Sequence, residues 1–264
     1  MLPEFEAIAF RSIIEKGAHT KPWLIEVDCF GTPTPYVVKL YTTDQNNSRN
    51  STTAEVIGNI ISSSFELSSP KAAFIHFPED LRMKLPLVCN EILDNVDDRI
   101  KFGTEYIDSN FPFIPNMPKS QFSKHIDIDT LYAFDNFIRN SDRGDVKPNI
   151  LLVKNGHYLI DHEMAFDIDE NTIQKFNELN WEDKFGRYHI ALNYLKRASK
   201  ERKRQYFGTF LEYLRLLNIN QLIPYFNQLE NYGFSSNKEL IIDYLEHIKQ
   251  NSNNFVKILL TFIK

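Results

Sequence analysis

The residues most able to do chemistry cluster in one stretch, FDNFIRNSDRGDVKPNILLVKNGHYLIDHEMAF, residues 134–166. Asn140 and Asp142 fall in a short polar run after an apolar segment. Asn149 closes that run, and Asp161 follows the apolar residues Leu159 and Ile160. Carboxylate and amide oxygens held on rigid elements are ligands that magnesium prefers, alongside phosphate oxygens. Phosphoryl transfer needs such ligands, and it needs one further carboxylate to orient the accepting hydroxyl. Taken singly, Asp142 and Asn149 read as turn residues. Their joint arrangement with Asp161 favours chemistry.

Certain elements must position these groups. Leu131, Phe134, Phe137 and Ile138 form one apolar stripe, predicting a helix over 129–139 with an acidic start. Residues 150–153 and 158–160 read as strands around Asn155-Gly156, a hairpin signal. Upstream, 24–27 and 36–40 read as paired strands separated by a turn over 31–35. Residues 42–53, crowded with Asn, Ser and Thr, read as a loop, and Val56, Ile57, Ile60 and Ile61 predict a helix over 54–65. Further short strands are expected at 72–77 and 99–102, and the proline-rich 111–118 reads as a connection. Beyond Asp169 the pattern is mostly amphipathic helix, with breaks near Asn218, Pro224 and Gly233. Phe185, Tyr188, Tyr194, Tyr206, Phe207, Phe210 and Tyr213 read as its core.

Composition narrows the class. The chain has 264 residues, 42% hydrophobic and 25% charged, which is ordinary for a globular protein. A net charge of −5 gives no global attraction to nucleic acid or to an anionic membrane. Cys29 and Cys89 alone make no disulfide framework and suit a reducing cytosol. The first residues, MLPEFEAIAF, lack the basic flank and apolar stretch of a secretory signal, and nothing approaches 18 uninterrupted apolar residues. A cytoplasmic protein is expected.

The motifs carry a resemblance. Asn140-Ser141-Asp142-Arg143, then Pro148-Asn149-Ile150-Leu151, then Leu159-Ile160-Asp161-His162 resemble the catalytic centre of the HipA-like kinase family. Arg139 to Gly144, RNSDRG, is also similar to a run in the phosphatidylinositol 4-kinases. The resemblance spans roughly residues 24–170. It implies an α+β, two-lobed protein-kinase-like fold: a small mixed N-lobe over 1–107 and a mainly helical C-lobe over 108–264. ATP would lie between the lobes. Asp142 would act as base or orienter, and Asn149 and Asp161 would hold magnesium. Lys39, in Tyr36-Val37-Val38-Lys39, would reach ATP phosphates, with Glu55 orienting it. Phe102-Gly103-Thr104-Glu105-Tyr106 resembles the hinge that grips adenine, so Glu105 and Tyr106 would be nucleotide contacts. The glycine-free 42–53 segment is neither a Walker A nor a G-x-G-x-x-G element, but its hydroxyls and N–H groups could cap phosphates.

The pattern departs from its relatives in one place. The metal-binding Asn of protein kinases lies five residues after the catalytic Asp, where this chain has Lys147; Asn149 lies seven after. A competing alignment sets Asp145-Val146-Lys147-Pro148-Asn149 against the D-x-K-P-x-N loop of eukaryotic protein kinases, with one residue deleted. Asp145 would then be the base. The gap-free match of N-x-D-R and I-D-H favours Asp142.

Other residues read blandly. Arg143 is expected to pair with a neighbouring carboxylate. His157 and His162 do not make a zinc site, and His162 is expected to orient Asp161 or pack beneath it. Lys196, Arg197, Lys200, Arg202, Lys203 and Arg204 read as a solvated helix face rather than a nucleic-acid patch. The leading expectation is a magnesium- and ATP-dependent kinase acting on Ser or Thr of a protein. The family includes toxin kinases, so an antitoxin or other protein partner is implied. Two alternatives are a kinase for a lipid or small-molecule hydroxyl, and a nucleotide-binding scaffold that has lost transfer activity.

Overall fold

The computed structural model describes residues 1–15, 21–109, 117–184 and 188–264. The connection expected at 111–118 and the core role of Phe185 lie largely outside these residues. The described chain forms two compact units, each discontinuous in sequence. One holds residues 1–57, 70–108 and 224–236; the other holds 58–69, 109–223 and 237–264. The chain passes between the two units at five places, one of them after residue 108.

The first unit is built on a closed five-stranded barrel in the order β1-β2-β3-β5-β4. The strands are β1 (Glu4–Ile13), β2 (Trp23–Cys29), β3 (Thr32–Val38), β4 (Ala72–His76) and β5 (Lys101–Glu105). β1 runs parallel to β4 and the other pairs are antiparallel. Period-two alternation sends Trp23, Ile25 and Val27 of β2 inward with Tyr36 and Val38 of β3 and Ala73 and Ile75 of β4. Gly103 of β5 lies where a Cβ would come within 3.1 Å of both Ile75 and Val38, so a glycine permits that packing. β4 is covered on its other face as well, where Phe74 meets Tyr232 at 5.1 Å between ring centroids. Tyr232 follows α11 (Ile223–Asn231), whose Gln228 exchanges two hydrogen bonds with the backbone of Leu2.

Several expectations for this unit are corrected. The turn expected over 31–35 is only Phe30-Gly31, and Thr32 to Pro35 are already strand. Pro33 and Pro35 have the same parity along β3, so both missing N–H groups point to one edge of the strand. The 42–53 segment contains a helix, α1 (Thr43–Ser48), because Thr42 and Gln45 form a reciprocal capping box. α2 (Ser51–Ser62) then starts three residues earlier than its apolar stripe indicates, and its last residues belong to the second unit. The strand expected at 99–102 is shifted to begin at Lys101. Two short helices, α3 (Glu79–Arg82) and α4 (Leu87–Asp94), complete the unit.

The second unit is mainly helical: α5 (Lys119–Phe122), α6 (Ile128–Phe137), α7 (Thr172–Asn177), α8 (Leu192–Lys196), α9 (Lys200–Lys203), α10 (Gly208–Leu216), α12 (Lys238–Gln250) and α13 (Ser252–Phe262). A two-stranded hairpin, β6 (Ile150–Val153) and β7 (Gly156–Leu159), interrupts them. α6 lies at the centre, with nearly every residue buried. Its Phe134 and Phe137 meet Phe65, which stacks on Phe210 of α10 at 5.0 Å; Phe255 of α13 closes the cluster. Such ring pairs contribute about 0.5–1.5 kcal/mol each beyond the area they bury. Tyr206 and Phe207 are buried as expected, but Tyr188 is 65% exposed and is no core residue. No helix among the described residues is long and apolar enough to cross a membrane.

Candidate active site

A buried carboxylate organises the loop between α6 and β6. Asp135, on α6, has no solvent exposure and accepts hydrogen bonds from three side chains. Arg143 Nε lies 2.7 Å away, His189 Nε2 3.1 Å and Asn140 Nδ2 3.1 Å. The His189 tautomer follows from its other nitrogen: Nδ1 accepts from the Ala191 N–H at 3.0 Å, so Nε2 carries the proton and donates to Asp135. Burial disfavours the Asp135 anion. The charge of Arg143 and the hydrogen bonds from His189 and Arg143 outweigh burial and hold the carboxyl below its ordinary value. Burial also lowers the His189 pKa, keeping the imidazole neutral.

From Asp135 the order passes to the backbone. Asn140 Oδ1 accepts from the Asp142 N–H at 3.2 Å, and Arg143 Nη1 donates to the carbonyls of Pro148 and Asn149 at 3.2 and 2.7 Å. The far side of the loop is fixed by a bridge between Gly144 and His189 and by the Asp145 N–H on the Tyr188 carbonyl. A segment rich in Asn, Asp and Gly is therefore tied by hydrogen bonds to the helix before it, the strand after it and the segment around His189. Arg143 pairs with a carboxylate, as expected.

These constraints set the geometry of the three candidate catalytic residues. Asn149 Nδ2 donates to the Asp142 carbonyl at 2.8 Å and to Asp142 Oδ2 at 2.9 Å. With both amide hydrogens turned to Asp142, Asn149 Oδ1 points elsewhere and stays available as a hard oxygen ligand. Asp161 is brought close by the hairpin. Ile150 pairs with Leu159, and the Ile160 N–H donates to the Asn149 carbonyl at 3.0 Å. Asn149 and Asp161 therefore flank the open end of the hairpin. Both adopt left-handed backbone conformations, φ 51° and 64°, uncommon for residues with a Cβ. Lys147 Nζ lies 3.4 Å from Asp161 Oδ2. Behind Asp161, His162 is buried against Gly58, where an added Cβ would lie 2.7 Å from His162 Cβ. His162 thus packs beneath the loop. His157 donates through Nδ1 to the His125 carbonyl at 2.7 Å.

In the first unit, Lys39 follows β3 and its ammonium is hydrogen-bonded to Glu55 Oε1 of α2, which also accepts from the Tyr41 hydroxyl at 2.9 Å. The pair is nearly enclosed, with side chains 14% and 3% exposed. Glu55 sits one turn inside its helix and does not cap it. The neighbouring hydroxyls have partners within the unit: Thr52 donates to Asn46 Oδ1 and Thr53 to the Ser235 carbonyl. The N–H groups of Glu105 and Tyr106 donate to the Lys71 and Pro35 carbonyls, each at 2.8 Å.

The profile of the HipA-like kinases matches residues 13–215. The chain belongs to the HipA-like kinase family. Among solved structures it is similar to the Helicobacter pylori proinflammatory kinase CtkA. The TM-score is 0.54 at 12% identity, over 100% of this chain and 99% of that one. At that identity the likeness speaks for a shared fold. No curated protein sequence matches. The family match covers Lys39, Glu55, Asp142, Asn149 and Asp161. Asp135 and His189, which anchor the HipA-like loop, were not singled out by spacing. One lies within an apolar helix and the other 54 residues downstream, and a buried acid amid the FDNF of α6 is the only local sign.

Proposed function

We propose that the chain transfers the γ-phosphoryl group of ATP, with magnesium, to a Ser or Thr hydroxyl of a protein. The observation that carries this reading is the clamp of Asn149 on Asp142. It orients the Asp142 carboxylate and leaves an amide oxygen beside the hairpin end that bears Asp161. In the transfer, the acceptor oxygen bonds to the γ-phosphorus, the bond from phosphorus to the bridging oxygen breaks, and ADP leaves. Asp142 orients the hydroxyl and takes its proton. Asn149 Oδ1 and the Asp161 carboxylate would hold the cation, whose bound charge offsets that of the phosphate oxygens. Lys39, steadied by Glu55 and Tyr41, would bind nucleotide phosphates. Asp142 is favoured over Asp145 as base because its carboxylate is fixed by Asn149.

The test is incubation with γ-labelled ATP, with and without magnesium, in the presence of mixed protein, lipid and metabolite acceptors. Label on protein Ser or Thr, dependent on magnesium, is expected. Label confined to lipid or metabolite would overturn the choice of acceptor. Nucleotide binding without any transfer would favour a scaffold.

A further inference from the structure

A groove of about 440 Å³ in the second unit begins at the loop that carries Asp142. That loop contributes Asp145 and Val146 to the lining. Ile190 adds an apolar surface, and Arg197 and Arg202 bring two guanidinium groups from the ends of α8 and from α9. The groove is tied to the candidate site through the backbone. Ile190 N–H donates to the Arg143 carbonyl at 3.1 Å, and Asp145 N–H donates to Tyr188. Its entrance is braced too, with the Tyr194 hydroxyl on the Met117 carbonyl at 2.5 Å and Lys119 Nζ on the Tyr206 hydroxyl at 3.0 Å.

The charges in the groove are unevenly matched. Lys119 is taken up by Tyr206 and the Tyr194 carbonyl. Arg197 and Arg202 are exposed and form no ion pair with a carboxylate among the described residues. Two cations beside an apolar surface suit a chain that alternates acidic and apolar side chains. A nucleic-acid backbone suits it less, since Asp145 shares the lining and the chain carries a net charge of −5.

We propose that this groove receives the acceptor segment of the protein substrate and selects acidic residues flanking the accepting hydroxyl, with Arg197 and Arg202 as the specificity-determining residues. This rests on the kinase reading of Asp142. Two measurements keep the two claims separable. The first is phosphoryl transfer to peptides that carry one Ser amid Glu, Ala or Lys residues. The second is fluorescence anisotropy of the same peptides, which needs no turnover. The native chain is expected to bind and phosphorylate the Glu peptide about tenfold better than the Lys peptide. The double variant R197E/R202E is expected to reverse that order through KM and binding, with peptide-independent ATP hydrolysis unchanged. Equal use of all three peptides, or no change in preference on charge reversal, would overturn the groove proposal while leaving the kinase reading intact. Acidic-peptide binding lost in R197E/R202E, in a chain that turns over no ATP, would uphold the groove and sink the kinase reading. Single-stranded RNA or phosphatidylserine vesicles displacing the Glu peptide through these two arginines at lower concentration than competing peptide would also overturn it.

Discussion

Asn149 and Asp142 are joined twice, the amide of one donating to the carboxylate and to the carbonyl of the other at 2.9 and 2.8 Å. Through this double contact the two residues behave as a unit, so a change in either disturbs both the orienting carboxylate and the neighbouring oxygen ligand. Asn149 sits at φ 51°, which costs a residue with a Cβ roughly 1 kcal/mol.

The backbone cost separates strain from chemistry at this position. Asn149→Gly is expected to keep thermal stability close to native, because glycine relieves the left-handed strain while the side-chain bonds are lost. Asn149→Ala is expected to be less stable than Asn149→Gly. Both should lower kcat by about a hundredfold or more, as the loss of a fixed polar group in an active site does. Melting curves and single-turnover rates on the two variants check this. A Gly variant with native kcat would show that the amide has no part in the reaction.

The network behind the loop is a stability claim. Arg143→Ala leaves Asp135 as a wholly buried anion with His189 and Asn140 as its remaining partners. A loss of about 3–5 kcal/mol is expected. Replacing both partners, as Asp135→Leu with Arg143→Met, should cost less than the single change, since no uncompensated charge remains. Urea unfolding of the two variants and the native chain measures it. A double variant less stable than Arg143→Ala would contradict the assignment.

Much of this arrangement was legible in the sequence, for reasons that particular residues make plain. The hairpin around Asn155-Gly156 announced itself because turn chemistry there is local, and it alone brings Asn149 to Asp161. The apolar stripe of α6 was equally local. β1 is less legible: Phe5 and Ala7 alternate with glutamates, but the strand pairs across about seventy residues with β4 as well as with β2, and no turn signal marks either pairing. The 42–53 segment looked like a loop because its composition is polar. Its Thr42–Gln45 capping box outweighs that composition. Asp135 and His189 were illegible because their importance comes from tertiary burial, which no spacing records.

A pH dependence follows from Asp129 at the start of α6. Burial, then a hydrogen bond that the protonated carboxyl donates to Asp127, pushes it up to about 6, against the opposing pull of the Phe207 N–H at 2.7 Å. The folded state thus holds this proton more tightly than the unfolded one. The group's contribution is fully present below its ordinary value of 3.8 and is lost as pH rises through about 6. Asp129→Asn keeps an acceptor for Phe207 and carries no charge. It is expected to be more stable than the native chain at pH 7.5, by on the order of 2 kcal/mol, with the gap closing toward pH 5. Melting temperatures of both proteins across that range check the sign. A gap that widens on acidification would contradict it.

Gly58 permits the close seat of His162. An alanine there would bring its Cβ to 2.7 Å from the His162 Cβ and 2.8 Å from Cγ, near the base of the side chain, where little flexibility is available. Gly58→Ala is expected to destabilise by about 1–3 kcal/mol, as overpacking does. It should also lower kcat, because His162 adjoins Asp161. Chemical denaturation paired with steady-state kinetics reads both effects. Native stability in this variant would mean that the contact yields more easily than its geometry implies.

The central claim is tested most directly by single-turnover transfer from γ-labelled ATP to protein in two variants, Asp142→Ala and Asp145→Ala. Transfer is expected to fall to background in the first and to persist at a substantial fraction of native in the second. The opposite pattern would contradict the assignment of Asp142 as the orienting base, and native rates in both would remove the catalytic role of this loop.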